Sequence, residues 1–179
     1  MKIEELDRKK VLIIGGQHGD EPTGVEICKD LYSMRSAGNL FIIPCVNPIG
    51  YKAKTREQNG VDLNRSYSFC EDQRVSKTID LVKGLCDIVD LVIDVHSTHE
   101  HMLDQPCFLV NEFGSDYVSC FEIIEHPGDA PEGSLRWYCD QIKTAMITYE
   151  AVEINPIREE QVTTGINEIL KVLKKAGLN

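Results

Sequence analysis

No stretch of this sequence approaches the ~20 consecutive apolar residues that a membrane-spanning helix needs. The first ten residues, Met1 to Lys10, are charged throughout and are not built like a cleavable leader. Both absences point to a cytoplasmic protein with no membrane partner. Positive charge is also in deficit. The net charge is −10, which argues against a nucleic-acid partner, since phosphates are met by clustered Lys and Arg. No CxxC pair occurs, although the chain has seven cysteines. Their odd number and scatter point to reduced, mostly buried thiols rather than a disulfide frame or a cysteine-ligated zinc. There is no internal repeat and no linker, so all 179 residues are expected to form one domain, 1–179, with a core large enough to fold without staples.

What is present is an alternation of strand and helix patterns. Val11-Leu12-Ile13-Ile14 is a run of branched aliphatics, as in a strand buried on both faces, and the strand is expected from Lys10 to Gln17. Gly15-Gly16 allows a sharp turn, and Pro22 suits the first turn of a helix. Ile27, Cys28, Leu31 and Met34 continue that helix at helical spacing to about Arg35. A second strand starts at Leu40 and is expected to reach Asn47. Val75, Ile79, Val82 and Cys86 mark a second helix. Leu91 to His96 reads as a third strand, in which Asp94 and His96 point the same way. Cys107 to Val110 reads as a fourth, and Ser115 to Glu125 as a short helix. That helix lies in an acidic stretch, 112–133, read as a surface loop or lid. A helix from Leu135 to Lys143, a strand from Ala145 to Ile154 and a helix from Arg158 to Ala176 complete the chain. Gly165 costs the last helix about 1 kcal/mol, so packing must hold that turn. The pattern is that of an α/β layer sandwich.

The connection from Asn47 to Arg74 is long and not low in complexity, which favours a functional loop. Between Asn47 and Tyr67 it carries Lys52, Lys54, Arg56 and Arg65 against Glu57 and Asp62, a local positive field in an acidic chain. His18 and Glu21 stand at the first strand's end, His96 at the third's, and Glu150 on the last strand. Thr148 and Glu150 share one face of that strand, and Ile147 and Tyr149 the other. Two neutral imidazoles and a carboxylate can make a three-ligand zinc site with an open position for water. A further carboxylate can take a proton from that water. One arginine can stabilise an oxyanion, and another can hold an anionic group by a two-pronged contact.

Four motifs in order carry a resemblance: His18-x-x-Glu21, Gly60-Val61-Asp62-Leu63-Asn64-Arg65, Asp94-Val95-His96, and the strand bearing Glu150. Together they resemble the zinc carboxypeptidase superfamily, and most closely its succinylglutamate desuccinylase/aspartoacylase branch. Gly15 to Gly24 is similar to that branch's opening motif, with Asp20 where asparagine is common. Asp94 to Thr98 is similar to its third-ligand strand, and Ile147 to Glu150 to its catalytic strand. The resemblance covers residues 11 to 153 and implies a three-layer α/β/α sandwich around a mixed, mostly parallel sheet.

It also implies roles. His18, Glu21 and His96 would bind one Zn2+ ion, and Asp62 would accept the other N–H of His18. Arg56 would polarise the scissile carbonyl, while Asn64 and Arg65 would grip a free carboxylate of a small-molecule substrate. Glu150 would be the general base and then the proton donor, with Glu153, on the opposite strand face, as its competitor. The reaction would release the acyl group of an N-acylated amino acid without a covalent acyl-enzyme. His99 and His101 read as loop histidines, and Cys45 and Cys107 as packing. Relatives in that branch carry a further C-terminal domain, so the site is expected either to stand open or to be covered by a homo-oligomer mate or partner subunit. Two readings compete: a metallocarboxypeptidase acting on peptide C-termini, and a non-catalytic metal- or ligand-binding protein. A two-histidine, one-carboxylate set also suits iron or cobalt.

Overall fold

Val11, Leu12, Ile13 and Ile14 have no exposed surface, because the strand they form is covered on both faces. This is β1 (Val11–Gly15) in a computed structural model that describes residues 9–35, 38–99, 105–118, 124–125, 130–153 and 156–178. Five further strands are β2 (Leu40–Ile43), β3 (Leu91–His99), β4 (Cys107–Val110), β5 (Ile124–Glu125) and β6 (Ala145–Glu153). They form one sheet in the order β2-β1-β3-β6-β4-β5. β2, β1, β3 and β6 are mutually parallel. β4 runs antiparallel to β6, and β5 follows β4. The mixed, mostly parallel sheet is therefore present.

Helices cover both faces. On one lie α1 (Pro22–Met34), α4 (Ser115–Val118) and α6 (Glu159–Lys175), packed through Ile27, Leu31, Val118, Ile169 and Val172 against Ile13, Ile93, Ile147 and Tyr149. On the other lie α3 (Gln73–Cys86) and α5 (Leu135–Ile142), packed through Val75, Ile79, Val82, Leu135 and Cys139 against Leu12, Ile14, Val92 and Met146. Alternation along β3 and β6 sorts their residues between the two cores. Three layers result, as the resemblance implies.

Beyond the shifted ends of β1, which stops at Gly15, and β3, which runs to His99, the structure departs from expectation in three places. β2 stops at Ile43 because Pro44 has no N–H to give the ladder, although Val46 N and Asn47 N still donate to Gly15 O and Gly16 O at 2.9 Å. The 47–74 connection is not all loop. It contains α2 (Pro48–Ala53), capped by the Asn47 side chain, and a 3-10 turn (Leu63–Arg65) capped by Asp62. Of the expected helix from Ser115 to Glu125, Ser115–Val118 is helical and Ile124–Glu125 is strand β5, while 119–123 lie outside the described residues. Cys28, Cys45, Cys70, Cys86 and Cys139 are free thiols, the first and the last two of them buried, and among the described residues no helix is long and apolar enough to cross a membrane.

Candidate active site

β1, β3 and β6 end side by side. Their parallel register pairs Gly15 with Val95 and His96 with Glu150. On β3 and β6 the face carrying α3 and α5 ends in polar side chains, Asp94, His96 and Thr98 on one strand and Thr148 and Glu150 on the other. His18 reaches this edge through the turn after β1. Gly16 takes φ +65° there, a conformation that disfavours a side chain. Gly19 lies so close to α2 that a Cβ would stand 2.0 Å from the Gly50 carbonyl carbon. These contacts fix His18 and set Glu21 at the start of α1.

Glu21 lies between two imidazoles. Its Oε1 is 2.5 Å from His18 Nδ1, and its Oε2 is 2.9 Å from His96 Nδ1. Ser97 N also donates to Oε2, at 3.0 Å. One donor atom from each of the three side chains lies within 4.8 Å of the others, a candidate metal site. The far nitrogens face carboxylates: Asp94 Oδ2 is 2.8 Å from His96 Nε2, and Asp62 Oδ1 is 3.4 Å from His18 Nε2. Carboxylates only accept, so an Nε2 that carries hydrogen has a carboxylate to face, and in that tautomer the Nδ1 lone pairs would be left for an ion at the centre.

The electrostatics agree with a cation. Burial alone would lower the pKa of His96, but Asp94 and Glu21 raise it well above the ordinary value. His18 is raised likewise, burial being outweighed by Asp62 and Glu21. Burial would raise Glu21, yet the two imidazoles hold it far below the usual carboxylate range. A centre that drives buried imidazoles toward protonation favours positive charge, and the donor set of two imidazoles and a carboxylate matches zinc chemistry. The residues present fit the metal.

A cavity of about 230 Å3 opens on this centre and is lined by His18, Glu21, Arg56, Asn64, Arg65, His96 and Glu150 among others. The structure thus brings together His18, Glu21, Arg56, Asn64, Arg65, His96 and Glu150, with Asp62 just behind. Asp62 Oδ2 accepts Arg56 Nε at 2.9 Å, and its Oδ1 accepts Asn64 N at 2.9 Å. Arg56 Nη1 sits 3.3 Å from His18 Nδ1. Asn64 Oδ1 accepts Leu135 N at 2.8 Å, which leaves its amide N–H2 as the end able to donate. Arg65, exposed, returns one contact to Asn64 O at 2.6 Å. Thr98 Oγ1 donates to Glu150 Oε2 at 2.9 Å. Burial raises the Glu150 pKa above its ordinary value, against the lowering effect of His96.

Glu153 is turned to the other face. Its Oε2 accepts Thr23 N at 3.1 Å and Ser97 Oγ at 2.5 Å, outside the cavity. The expectation for His99 and His101 falls on side chains outside the described residues. Arg136 is the residue that the sequence did not single out. It lines the cavity from the first turn of α5, and its buried Nη1 has no hydrogen-bond partner among the described residues. Burial lowers its pKa, against Asp140 and Glu150.

Residues 7–176 match the family model of the succinylglutamate desuccinylase/aspartoacylase catalytic domain. A curated relative, N-alpha-acetyl-L-2,4-diaminobutyric acid deacetylase from Halomonas elongata, is 33% identical over 94 residues, which are 48% of this chain and 28% of that protein. The fold is similar to that of the product-bound ectoine utilization protein EutE (DoeB) from Ruegeria pomeroyi, with a TM-score of 0.78 and 21% identity over 95% of this chain and 58% of that one. It is also similar to Csd4 from Helicobacter pylori, a D,L-carboxypeptidase, with a TM-score of 0.71 and 15% identity over 98% of this chain and 52% of that one. The chain therefore spans little more than half the length of these solved structures and under a third of the curated relative.

Proposed function

The chain belongs to the succinylglutamate desuccinylase/aspartoacylase catalytic-domain family, and on that premise we propose that it is a zinc-dependent amidohydrolase that removes the acyl group from an N-acylated amino acid. One observation carries the reading: His18 Nδ1 and His96 Nδ1 converge on Glu21 in a cavity that also holds Glu150 and three arginines. A zinc ion bound by these three side chains supplies a Lewis acid and brings the pKa of water to near ~7.

The protein's own groups do the rest. Glu150, beside His96 in register, takes the proton from water and later gives it to the leaving amine. Thr98 holds one of its oxygens, so the other is free to accept. Arg56, fixed through Nε by Asp62, presents Nη1 to the oxyanion that develops on the scissile carbonyl. Arg65 and the amide N–H2 of Asn64 hold the substrate's free carboxylate. Arg136 contributes a further guanidinium N–H to an oxygen of the bound substrate.

The test combines metal analysis with turnover of an N-acyl amino acid panel before and after chelation. Stoichiometric zinc and chelator-sensitive release of free amino acid are expected. Arg65→Ala is expected to raise KM for substrates with a free carboxylate far more than for the matching amides. Equal effects on both would remove Arg65 from substrate binding. Preference for short peptides over N-acyl amino acids would favour a carboxypeptidase instead. Stoichiometric zinc with no hydrolysis of any amide or ester would favour a binding protein.

A further inference from the structure

A line of buried polar groups runs behind His96, away from Glu21. His96 Nε2 meets Asp94 Oδ2 at 2.8 Å. The same oxygen accepts Gln17 Nε2 at 2.6 Å, and Gln17 Oε1 accepts the Tyr67 hydroxyl at 2.8 Å. Gln17, Asp94 and Tyr67 are each 1% exposed, so bulk water does not stand in for any member. The polarity along the line is determined. The Asp94 carboxylate can only accept, so the Gln17 amide must turn its N–H2 to Asp94 and its carbonyl to Tyr67. His96 can then donate from Nε2, which leaves Nδ1, on the Glu21 side, as the nitrogen that would face an ion. Asp94 Oδ1 has no hydrogen-bond partner among the described residues, so both donors act on one oxygen.

The far end of the line is not passive. Tyr67 lies two residues beyond Arg65, and its own N–H donates to Gly133 O at 2.9 Å. The segment that carries Asn64 and Arg65 is thereby tied to the segment that carries Arg136. We infer that Gln17 and Tyr67 are positioning residues for the metal centre. They hold Asp94, and through it His96, in the orientation and tautomer that binds the ion, and they join the Asn64–Arg65 turn to that ligand. The inference rests on the metal-binding reading of His18, Glu21 and His96 given above. Neither residue lines the cavity, and the side chain of Gln17 reaches the centre through Asp94.

The experiment uses the full chain with Gln17→Met, Tyr67→Phe and the double variant. Zinc affinity is read by chelator competition, and the ligand geometry by the visible absorption of the cobalt-loaded protein. Gln17→Met is expected to weaken zinc about tenfold to a hundredfold, the range found for lost outer contacts of metal-bound histidines. Tyr67→Phe is expected to give a smaller loss in the same direction, and the double variant no more than Gln17→Met alone, because Tyr67 acts through Gln17. The cobalt absorption should shift in each. Folded variants that bind zinc as the wild type does, with an unshifted cobalt spectrum, would overturn the inference. If Gln17→Met fails to fold, Tyr67→Phe decides, since it removes one hydroxyl and keeps the ring. A wild type that binds no divalent ion would instead overturn the metal reading itself.

Discussion

Glu150 is a carboxylate kept where a carboxylate is poorly solvated. Burial raises its pKa, and the Thr98 hydroxyl and His96 return only part of the loss. A carboxyl whose folded pKa lies above its unfolded value binds its proton more tightly in the native state. The stability it lends is therefore full below the unfolded value of 4.5 and is lost as pH rises through the folded pKa. In the metal-free protein, Glu150→Gln replaces this group with one that stays neutral. The variant's melting temperature is expected to exceed that of the wild type by a margin that is small near the unfolded pKa and grows as pH rises to neutral. Superimposable pH profiles would show that the ionised carboxylate costs nothing where it sits. The same variant is expected to hold zinc and lose about 10²- to 10⁴-fold in kcat, the usual weight of a general base. A gain in stability with a loss in rate is the mark of a residue kept for chemistry rather than for folding.

At the scale of elements, α1 lacks a side-chain cap at its own N-cap residue, Glu21, because that carboxylate is turned toward His18 and His96 in the candidate metal site. Glu153 takes over the duty from β6, accepting Thr23 N in the first turn and tying it to Ser97 on β3. Glu153→Ala is expected to cost about 1–3 kcal/mol, since it strands a buried N–H and a buried hydroxyl. A urea midpoint shift at unchanged m-value would report it, and an unchanged midpoint would rule the clip out. The contrast of Glu150 and Glu153 was half legible from the sequence, where alternation puts them on opposite faces. The partners of Glu153 were not legible, because Thr23 lies 130 residues away in the chain. Apolar runs made β1, β3 and β6 plain, and the helical spacing made α1, α3 and α6 plain. Six-residue α2 and two-residue β5 are too short to show any period. Spacing also says nothing about which strands are neighbours, so the pairing of His96 with Glu150 is visible only in the structure, although the family resemblance implied that both serve one site. Arg136 was hidden for a related reason. It sits in an amphipathic helix whose polar residues read as solvated, and only the docking of Leu135 onto Asn64 turns that first turn toward the cavity.

At the scale of the molecule, the candidate metal site joins parts that also meet through the sheet, the Gln17–Asp94 bond and the Glu153 clip. His18 comes from the turn after β1, Glu21 from the start of α1, and His96 from β3. An ion that needs all three binds the folded chain and not the unfolded one, so it stabilises by RT ln(1 + [L]/Kd), about 2.7 kcal/mol at a hundredfold excess over Kd. For a chain of this size each kcal/mol moves the melting temperature by roughly 2–4 °C. Zinc added to chelator-stripped protein is thus expected to raise it by roughly 5–10 °C. The net charge of −10 supplies the competing explanation, since any divalent ion screens a surface of acidic side chains. His96→Ala separates the two, because it removes one ligand and leaves the formal charge of −10 untouched. The zinc-induced rise should vanish in His96→Ala and survive in the wild type, while magnesium, which prefers oxygen ligands, should move neither by a comparable amount. A rise of equal size in both proteins would assign the effect to the acidic surface and leave His18, Glu21 and His96 as a hydrogen-bonded cluster without an ion to hold.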